Sequence, residues 1–182
     1  MYTIGVSGSP RVDANTSIMV KEVLENINCD SRFISLGGLD INPCMGCNLC
    51  WHEGKDCPLE DDLTWVIGEV KKADAIVLGS PNYFSNVSSQ LKMLMDRLVV
   101  TDRSRSLRDK VLGVVVAQDA AGRGAGGDQV VSAIRGFYGG DLVYAGGVVG
   151  HGGPVKGNIR SDERAMRAAR ALAERMMELV RG

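Results

Sequence analysis

Residues 2–17 read Tyr2-Thr3-Ile4-Gly5-Val6-Ser7-Gly8-Ser9-Pro10-Arg11-Val12-Asp13-Ala14-Asn15-Thr16-Ser17: an apolar run, a short polar loop, then the start of a helix. Val20, Val23, Leu24 and Ile27 continue as one apolar stripe, which predicts a first helix from near Thr16 with Asn15, Thr16 and Ser17 as capping side chains. Four more units of this kind follow. Strands are expected over Tyr2–Val6, Arg32–Ser35, Ala75–Gly79, Val111–Gln118 and Leu142–Val149, and later helices over Asp61–Lys72, Ser88–Val99, Asp128–Tyr138 and Ser161–Arg181. Mostly apolar, β-branched strands alternating with amphipathic helices predict an α/β fold, a doubly wound five-stranded parallel sheet covered on both faces.

The chain has 182 residues, 45% of them hydrophobic, which suits a single domain over 1–182; it shows no internal repeat and no long linker. Its 21 basic and 22 acidic side chains leave a formal charge of -1, which argues against a nucleic-acid partner. The longest apolar stretch, Val111 to Ala117, falls well short of the roughly 20 residues that cross a bilayer, so no membrane association is expected. The first residues enter a strand directly, without the features of an export signal, so a cytoplasmic location is expected.

The loop after the first strand suits a phosphate. A helix N-terminus presents unpaired N–H groups, Ser9, Asn15, Thr16 and Ser17 offer hydrogen bonds, and Arg11 adds a charge. Neither the dinucleotide glycine fingerprint nor the nucleotide P-loop is present, so a mononucleotide fits better. A plain polar loop that caps its helix accounts for the same residues.

Two connections are long, residues 37–60 and 119–127, and the first carries Cys44-Met45-Gly46-Cys47-Asn48-Leu49-Cys50 and then Cys57-Pro58. In a chain without an export signal such a cluster points to metal or redox chemistry rather than a disulfide framework. Three cysteines spaced two residues apart let one loop wrap three corners of a cuboidal cluster, with Gly46 permitting the bend and Cys57 closing the fourth corner, which favours [4Fe–4S]. Structural zinc on the same four thiolates is the competitor, and reduced or labile disulfide-forming cysteines are a third reading. Cys29 lies outside the spacing and reads as a small buried hydrophobe or a surface thiol without a role.

The end of the third strand, Gly79-Ser80-Pro81-Asn82-Tyr83-Phe84-Ser85-Asn86, followed by a helix that reaches Asp96-Arg97, resembles the second flavin loop of the NADPH-dependent FMN reductase family. That resemblance implies FMN, with Pro81, Asn82, Tyr83, Phe84, Ser85 and Asn86 along the isoalloxazine. It also implies a flavodoxin-like strand order, 2-1-3-4-5, with the ligand at the switch point between strands one and three. The loop after strand four, Ala117-Gln118-Asp119-Ala120-Ala121-Gly122, matches the family's third flavin loop in position and contributes Asp119, Ala120 and Gly122; its sequence is only loosely similar. A cysteine loop after strand two of such a chain resembles the iron–sulfur flavoprotein family. The resemblance implies FMN beside [4Fe–4S] on Cys44, Cys47, Cys50 and Cys57, homo-oligomers (dimers or tetramers), and electron transfer between cluster and flavin.

Two other functions remain open on the sequence: an NAD(P)H-dependent FMN or quinone reductase with a structural cysteine loop, and a non-catalytic, zinc-stabilised flavin-binding module. No catalytic acid–base pair is expected, because the cofactors carry the chemistry. Arg103, Arg105, Arg108 and Lys110 form a basic run suited to a ferredoxin-like electron donor or simply to solvent. Trp51 and Trp65 flank the cysteines as shields or as packing. His52 and His151 read as exposed loop histidines or as proton relays.

Overall fold

The computed structural model describes residues 1–98, 106–119, 126–137 and 142–181. In chain order the elements are β1 (Tyr2–Ser7), α1 (Asn15–Glu25), β2 (Asp30–Ser35), α2 (Leu49–His52), α3 (Asp62–Lys72), β3 (Ala75–Pro81), α4 (Ser89–Arg97), β4 (Val111–Gln118), α5 (Gly127–Phe137), β5 (Val143–His151), a 3-10 turn (Asn158–Ser161) and α6 (Glu163–Arg181). The five strands form one parallel sheet in the order β2-β1-β3-β4-β5, the expected doubly wound, flavodoxin-like arrangement. Among the described residues no helix is long and apolar enough to cross a membrane.

Strand alternation divides the core in two. Ile4, Val6, Ile76, Leu78, Val114 and Val116 face α3, α4 and α5, burying Leu63, Val66, Leu91, Leu94 and Ile134. Val77, Val115 and Ala145 face α1 and α6, burying Met19, Val20, Val23, Leu172 and Met176. On this second face Gly5 and Gly79 let α1 lie close: a Cβ would stand 2.6 Å from Val20 Cγ1 at Gly5 and 2.5 Å from Val20 Cγ2 at Gly79. That approach sets the N-terminus of α1 over the crevice between β1 and β3. Gly79→Ala is expected to destabilise the fold by about 1–3 kcal/mol through overpacking, read as a lower urea midpoint with an unchanged slope.

The differences from expectation have local causes. β5 runs to His151, two residues beyond Val149, because Ala117 and Gln118 at the end of β4 pair with Gly150 and His151. β2 is an edge strand whose Asp30, Ser31 and Arg32 are exposed, so it is not covered on both faces. The short α2 and the 3-10 turn carry no apolar periodicity that announces them. The expected helix ends at Val99 and Tyr138 lie outside the described residues. Helix α1 begins at Asn15, and Ala14, in extended conformation, takes the N-cap position without any side-chain cap; the expected capping by Asn15, Thr16 and Ser17 does not occur, because all three lie inside the first turn.

Candidate functional site

Beyond the C-terminal ends of β1, β3 and β4 lies a cavity of about 230 Å³. The first loop supplies Ser9, Arg11, Ala14, Asn15 and Thr16; β3 and its loop supply Pro81, Asn82 and Tyr83; the end of β4 supplies Gln118 and Asp119; Gly153 and Pro154 close it. The first hydrogen bond of α1 runs from the Ile18 N–H to the Ala14 carbonyl at 3.0 Å. The N–H groups of Asn15, Thr16 and Ser17 therefore have no intrahelical acceptor, and none is supplied by a cap. This is the setting in which a helix end holds an anion.

The polar side chains here have divided roles. Ser17 Oγ lies 3.0 Å from Ser7 Oγ in the buried interior, and Ser9 Oγ accepts the Arg11 N–H at 3.1 Å. Asn15 donates to the carbonyls of Gly153 (3.1 Å) and Val155 (2.9 Å) and accepts from the N–H groups of Gly157 (2.9 Å) and Ile159 (3.4 Å). Its amide is thus fully engaged in fastening the segment after β5, and only its backbone N–H is left for a ligand. Arg11 Nη1 donates to the Pro154 carbonyl at 2.8 Å, which holds the guanidinium at the rim.

The β3 loop is brought only partly to the cavity. Tyr83 and Asn86 close a two-residue turn by mutual backbone hydrogen bonds of 3.1 and 3.0 Å. Phe84 (φ 51°) and Ser85 (φ 60°) occupy its left-handed positions, where asparagine and glycine are the usual residues. Phe84 is fully exposed, and Phe84, Ser85 and Asn86 do not line the cavity. Asn82 does, and its Oδ1 is buried with no partner among the described residues. Asp119 is at the lining, whereas Ala120 and Gly122 lie outside the described residues.

The cysteine segment lies between β2 and α3, where Cys44, Cys47, Cys50 and Cys57 line a second cavity of about 350 Å³ together with Met45, Trp51, Pro58 and Arg97. All four are free thiols, Cys44 and Cys47 exposed and Cys50 and Cys57 half-buried. Left-handed Gly46 and Asn48 curl the loop, and the Gly46 N–H meets Cys44 Sγ at 3.5 Å. Among the described residues no group of three or more His, Cys, Asp and Glu side chains closes on a point the size of one ion; the thiols instead ring a cavity.

One residue that sequence reasoning left without a role holds this loop. Arg97, at the end of α4, donates to the carbonyls of Asn42 (3.3 Å) and Leu59 (3.1 Å), so it ties together the two ends of the cysteine segment. Its Nη1 also meets Asp61 Oδ2 at 2.5 Å, in a pair whose side chains are 0% and 1% exposed. Asp61 is the N-cap of α3, accepting the Leu63 N–H at 2.9 Å, and also takes the Asn42 N–H at 2.8 Å. Burial pushes the Asp61 carboxyl up, but hydrogen bonds from Arg97 and Asn42 outweigh it and hold the group below its ordinary value. Arg97 Nε is buried without a partner among the described residues. A visible signal existed: Arg97 falls three residues after Leu94 on the buried stripe of α4, where an arginine needs a partner.

Other expectations resolve simply. Trp51 lines the cysteine cavity, while Trp65 stacks beneath Arg32 at 5.4 Å and donates to Asp62 at 3.2 Å. His52 sits exposed at the end of α2. Cys29 contacts Thr3 Oγ1 at 3.3 Å, far in sequence from the cluster. Of the basic run, Arg103 and Arg105 lie outside the described residues. Arg108 is 3.9 Å from Asp109, and Lys110 turns inward to the carbonyls of Lys71 and Ala73, so Lys110 does not belong to a docking patch.

A parallel 2-1-3-4-5 sheet with an uncapped helix N-terminus at the β1–β3 crevice defines a flavodoxin-like fold. The fold is shared with RosB solved with 8-demethyl-8-formylriboflavin-5'-phosphate (TM-score 0.78, 15% identity, 100% of this chain and 79% of that one). The chain belongs to the NADPH-dependent FMN reductase family, whose model matches residues 1–152, and within it to the iron–sulfur flavoproteins. An iron-sulfur flavoprotein of Methanocaldococcus jannaschii is 38% identical over 195 residues, covering 100% of this chain and 98% of that protein. One from Archaeoglobus fulgidus is 30% identical over 196 residues, covering 97% and 96%. The protein is accordingly an FMN-dependent oxidoreductase.

Proposed function

We propose that this protein is a two-cofactor redox carrier that links a one-electron donor to a two-electron acceptor, with electrons passing between a [4Fe–4S] cluster and FMN. The FMN phosphate is assigned to the N–H groups of Asn15, Thr16 and Ser17 with Ser9 and Arg11. The isoalloxazine is assigned to the side formed by Pro81, Asn82, Tyr83 and Asp119, with Phe84, Ser85, Asn86, Ala120 and Gly122 completing its surroundings. Cys44, Cys47, Cys50 and Cys57 would hold the cluster. Bound there, the cluster supplies one-electron and the flavin two-electron chemistry.

The observation that carries this reading is the set of four free thiols lining a 350 Å³ cavity, in a chain whose first helix begins without a side-chain cap at a separate cavity lined by Asn15 and Thr16. A tetrahedral zinc site brings its four sulfurs within about 3.8 Å of one another; thiols spread around a cavity suit a cuboidal cluster better. Arg97, which fastens both ends of the cysteine segment, lines the same cavity. Chain 1–182 acts in this reading as one domain, with residues 37–60 as the cluster loop, in a cytoplasm that keeps thiols reduced. Exposed Tyr83, Phe84, Met45 and Trp51 beside the two cavities suit a homo-oligomeric contact, and a ferredoxin-like protein is the electron donor.

Iron, acid-labile sulfide, zinc and flavin analysis on protein purified without oxygen tests this directly. About four irons and one FMN per chain are expected, with iron lost in Cys47→Ser. Stoichiometric zinc in place of iron overturns the cluster. The family match over residues 1–152 also supports a second reading, reduction by NAD(P)H with a structural cysteine loop. Rapid bleaching of bound flavin by NADPH favours the second reading; bleaching only by a low-potential protein donor favours the first.

A further inference from the structure

Cys44 follows Asn42 by two positions and Cys57 precedes Leu59 by two, so residues 42 and 59 are the stems of the stretch that carries all four clustered thiols. Both stems end on one side chain. Arg97 Nη1 donates to the Asn42 carbonyl and Nη2 to the Leu59 carbonyl, from one rigid, planar guanidinium. The second Nη1 hydrogen goes to Asp61 Oδ2, and that same oxygen takes the Asn42 N–H at 2.8 Å and the Asn42 side-chain amide at 3.2 Å. A buried charge pair thus fixes the separation of the stems.

The guanidinium is itself held from elsewhere. Leu91 and Leu94 of α4 are fully buried in the core. At the other end of that helix Ser88 Oγ donates to the Gly8 carbonyl at 2.5 Å and accepts the Leu91 N–H at 3.2 Å, while the Ser88 N–H donates to Ser80 Oγ at 3.1 Å. Arg97 therefore stands where the sheet and α4 put it, independently of the cysteine loop. Between the stems the fastenings are weaker: Gly46 and Asn48 take left-handed turns, Cys44 and Cys47 are exposed, and Lys71 meets Asp56 at an exposed carboxylate. A loop of this length samples many arrangements unless its ends are fixed. Folding stability alone does not call for such a pair, because well-packed apolar side chains of similar volume commonly serve as well as a buried ion pair. What they cannot do is hold two carbonyls of separate segments at a set spacing.

We propose that Arg97 is a positioning residue for the cluster: by fixing the two stems it gathers Cys44, Cys47, Cys50 and Cys57 around their cavity before iron arrives and slows the loss of iron afterwards. The inference rests on the assignment of [4Fe–4S] to these four thiols. Ligands that are already gathered lose less conformational freedom on binding, and groups that support the ligands of a metal site commonly change its affinity by about 10–100-fold. Arg97 acts here through the backbone on either side of the ligands, a role that needs no contact between the guanidinium and the cluster.

Two variants separate positioning from stability. Arg97→Lys keeps the charge opposite Asp61 but replaces two nitrogens, each on its own carbonyl, by one. Arg97→Met with Asp61→Asn removes the buried charge and keeps the α3 cap. Protein purified without oxygen is mixed with a ferrous chelator, and iron release is followed beside the urea midpoint and the FMN dissociation constant. Both variants should release iron at least about tenfold faster than wild type, with FMN affinity unchanged. In the cluster-free proteins, amide exchange across residues 43–58 should quicken by more than that of β1 and β3. Iron release at the wild-type rate in both variants overturns the role. Release that merely follows the urea midpoint from variant to variant overturns it too, because that is the signature of a residue needed only for folding. A wild type that holds zinc, or no metal, removes the cluster and this role with it, whereas the exchange comparison needs no metal and still reports whether Arg97 holds the stems.

Discussion

Arg97→Met should lower folding stability at neutral pH by about 3–5 kcal/mol, the usual penalty for removing one partner of a fully buried ion pair. The methionine fills similar volume, so the loss comes from chemistry: the Asp61 carboxylate stays buried beside Asn42 without its guanidinium. The sign of the pH dependence follows. In the wild type Asp61 titrates below its ordinary value, so its stabilisation is complete above the unfolded value near 3.9 and fades as pH falls through the lower folded one. In the variant the Arg97 contribution to that lowering is gone, while burial and the Asn42 hydrogen bonds remain. Protonation then relieves the buried charge, and the deficit relative to wild type shrinks toward acid. Arg97→Met with Asp61→Asn should recover part of the loss, because asparagine still caps α3. The variant should also be cut by protease between residues 42 and 59, the stretch whose two ends Arg97 fastens. Urea midpoints at pH 7 and pH 4 measure this; a neutral-pH loss below about 1 kcal/mol places the pair among inconsequential ones.

The second large effect pits stability against binding. Ala14 holds the extended N-cap conformation (φ -77°, ψ 170°) yet supplies no cap. Ala14→Asp should therefore stabilise the flavin-free protein by about 0.5–2 kcal/mol through hydrogen bonds to the first-turn N–H groups. The same carboxylate occupies the donors assigned to the phosphate and repels it. FMN affinity should fall by at least about a hundredfold, whereas riboflavin, which lacks the phosphate, should bind nearly as before. Chemical denaturation and fluorescence titration separate the two effects. FMN binding unchanged from wild type removes the phosphate from this helix.

The topology was legible because every central strand is a nearly continuous apolar run and every helix except α2 repeats its apolar residues at helical spacing. The polar loop of residues 7–17 and the four cysteines were legible because their types and spacings are local. What stayed hidden was long-range. The amide of Asn15 looked like a cap, but its partners lie about 140 residues away, at Gly153 to Ile159. Phe84, an aromatic that residue type alone could bury, stands exposed on a two-residue turn in a left-handed conformation. Lys110 looked like part of a basic surface, and its methylenes instead carry the ammonium inward to the end of α3, where burial pushes its pKa down although Asp74 opposes this. In each case a tertiary hydrogen bond, or the sign of a backbone torsion, decides between uses that the residue type alone allows.

The Asn15 fastening also imposes an order on folding. The helix end assigned to the phosphate lies within the first 25 residues, but its rim is held by residues 153–159, beyond the 1–152 span of the family model. A chain grown only as far as residue 152 has none of those last contacts. The rim of that cavity is therefore set by contacts of long sequence separation, which close only once both ends of this stretch of about 140 residues have folded together.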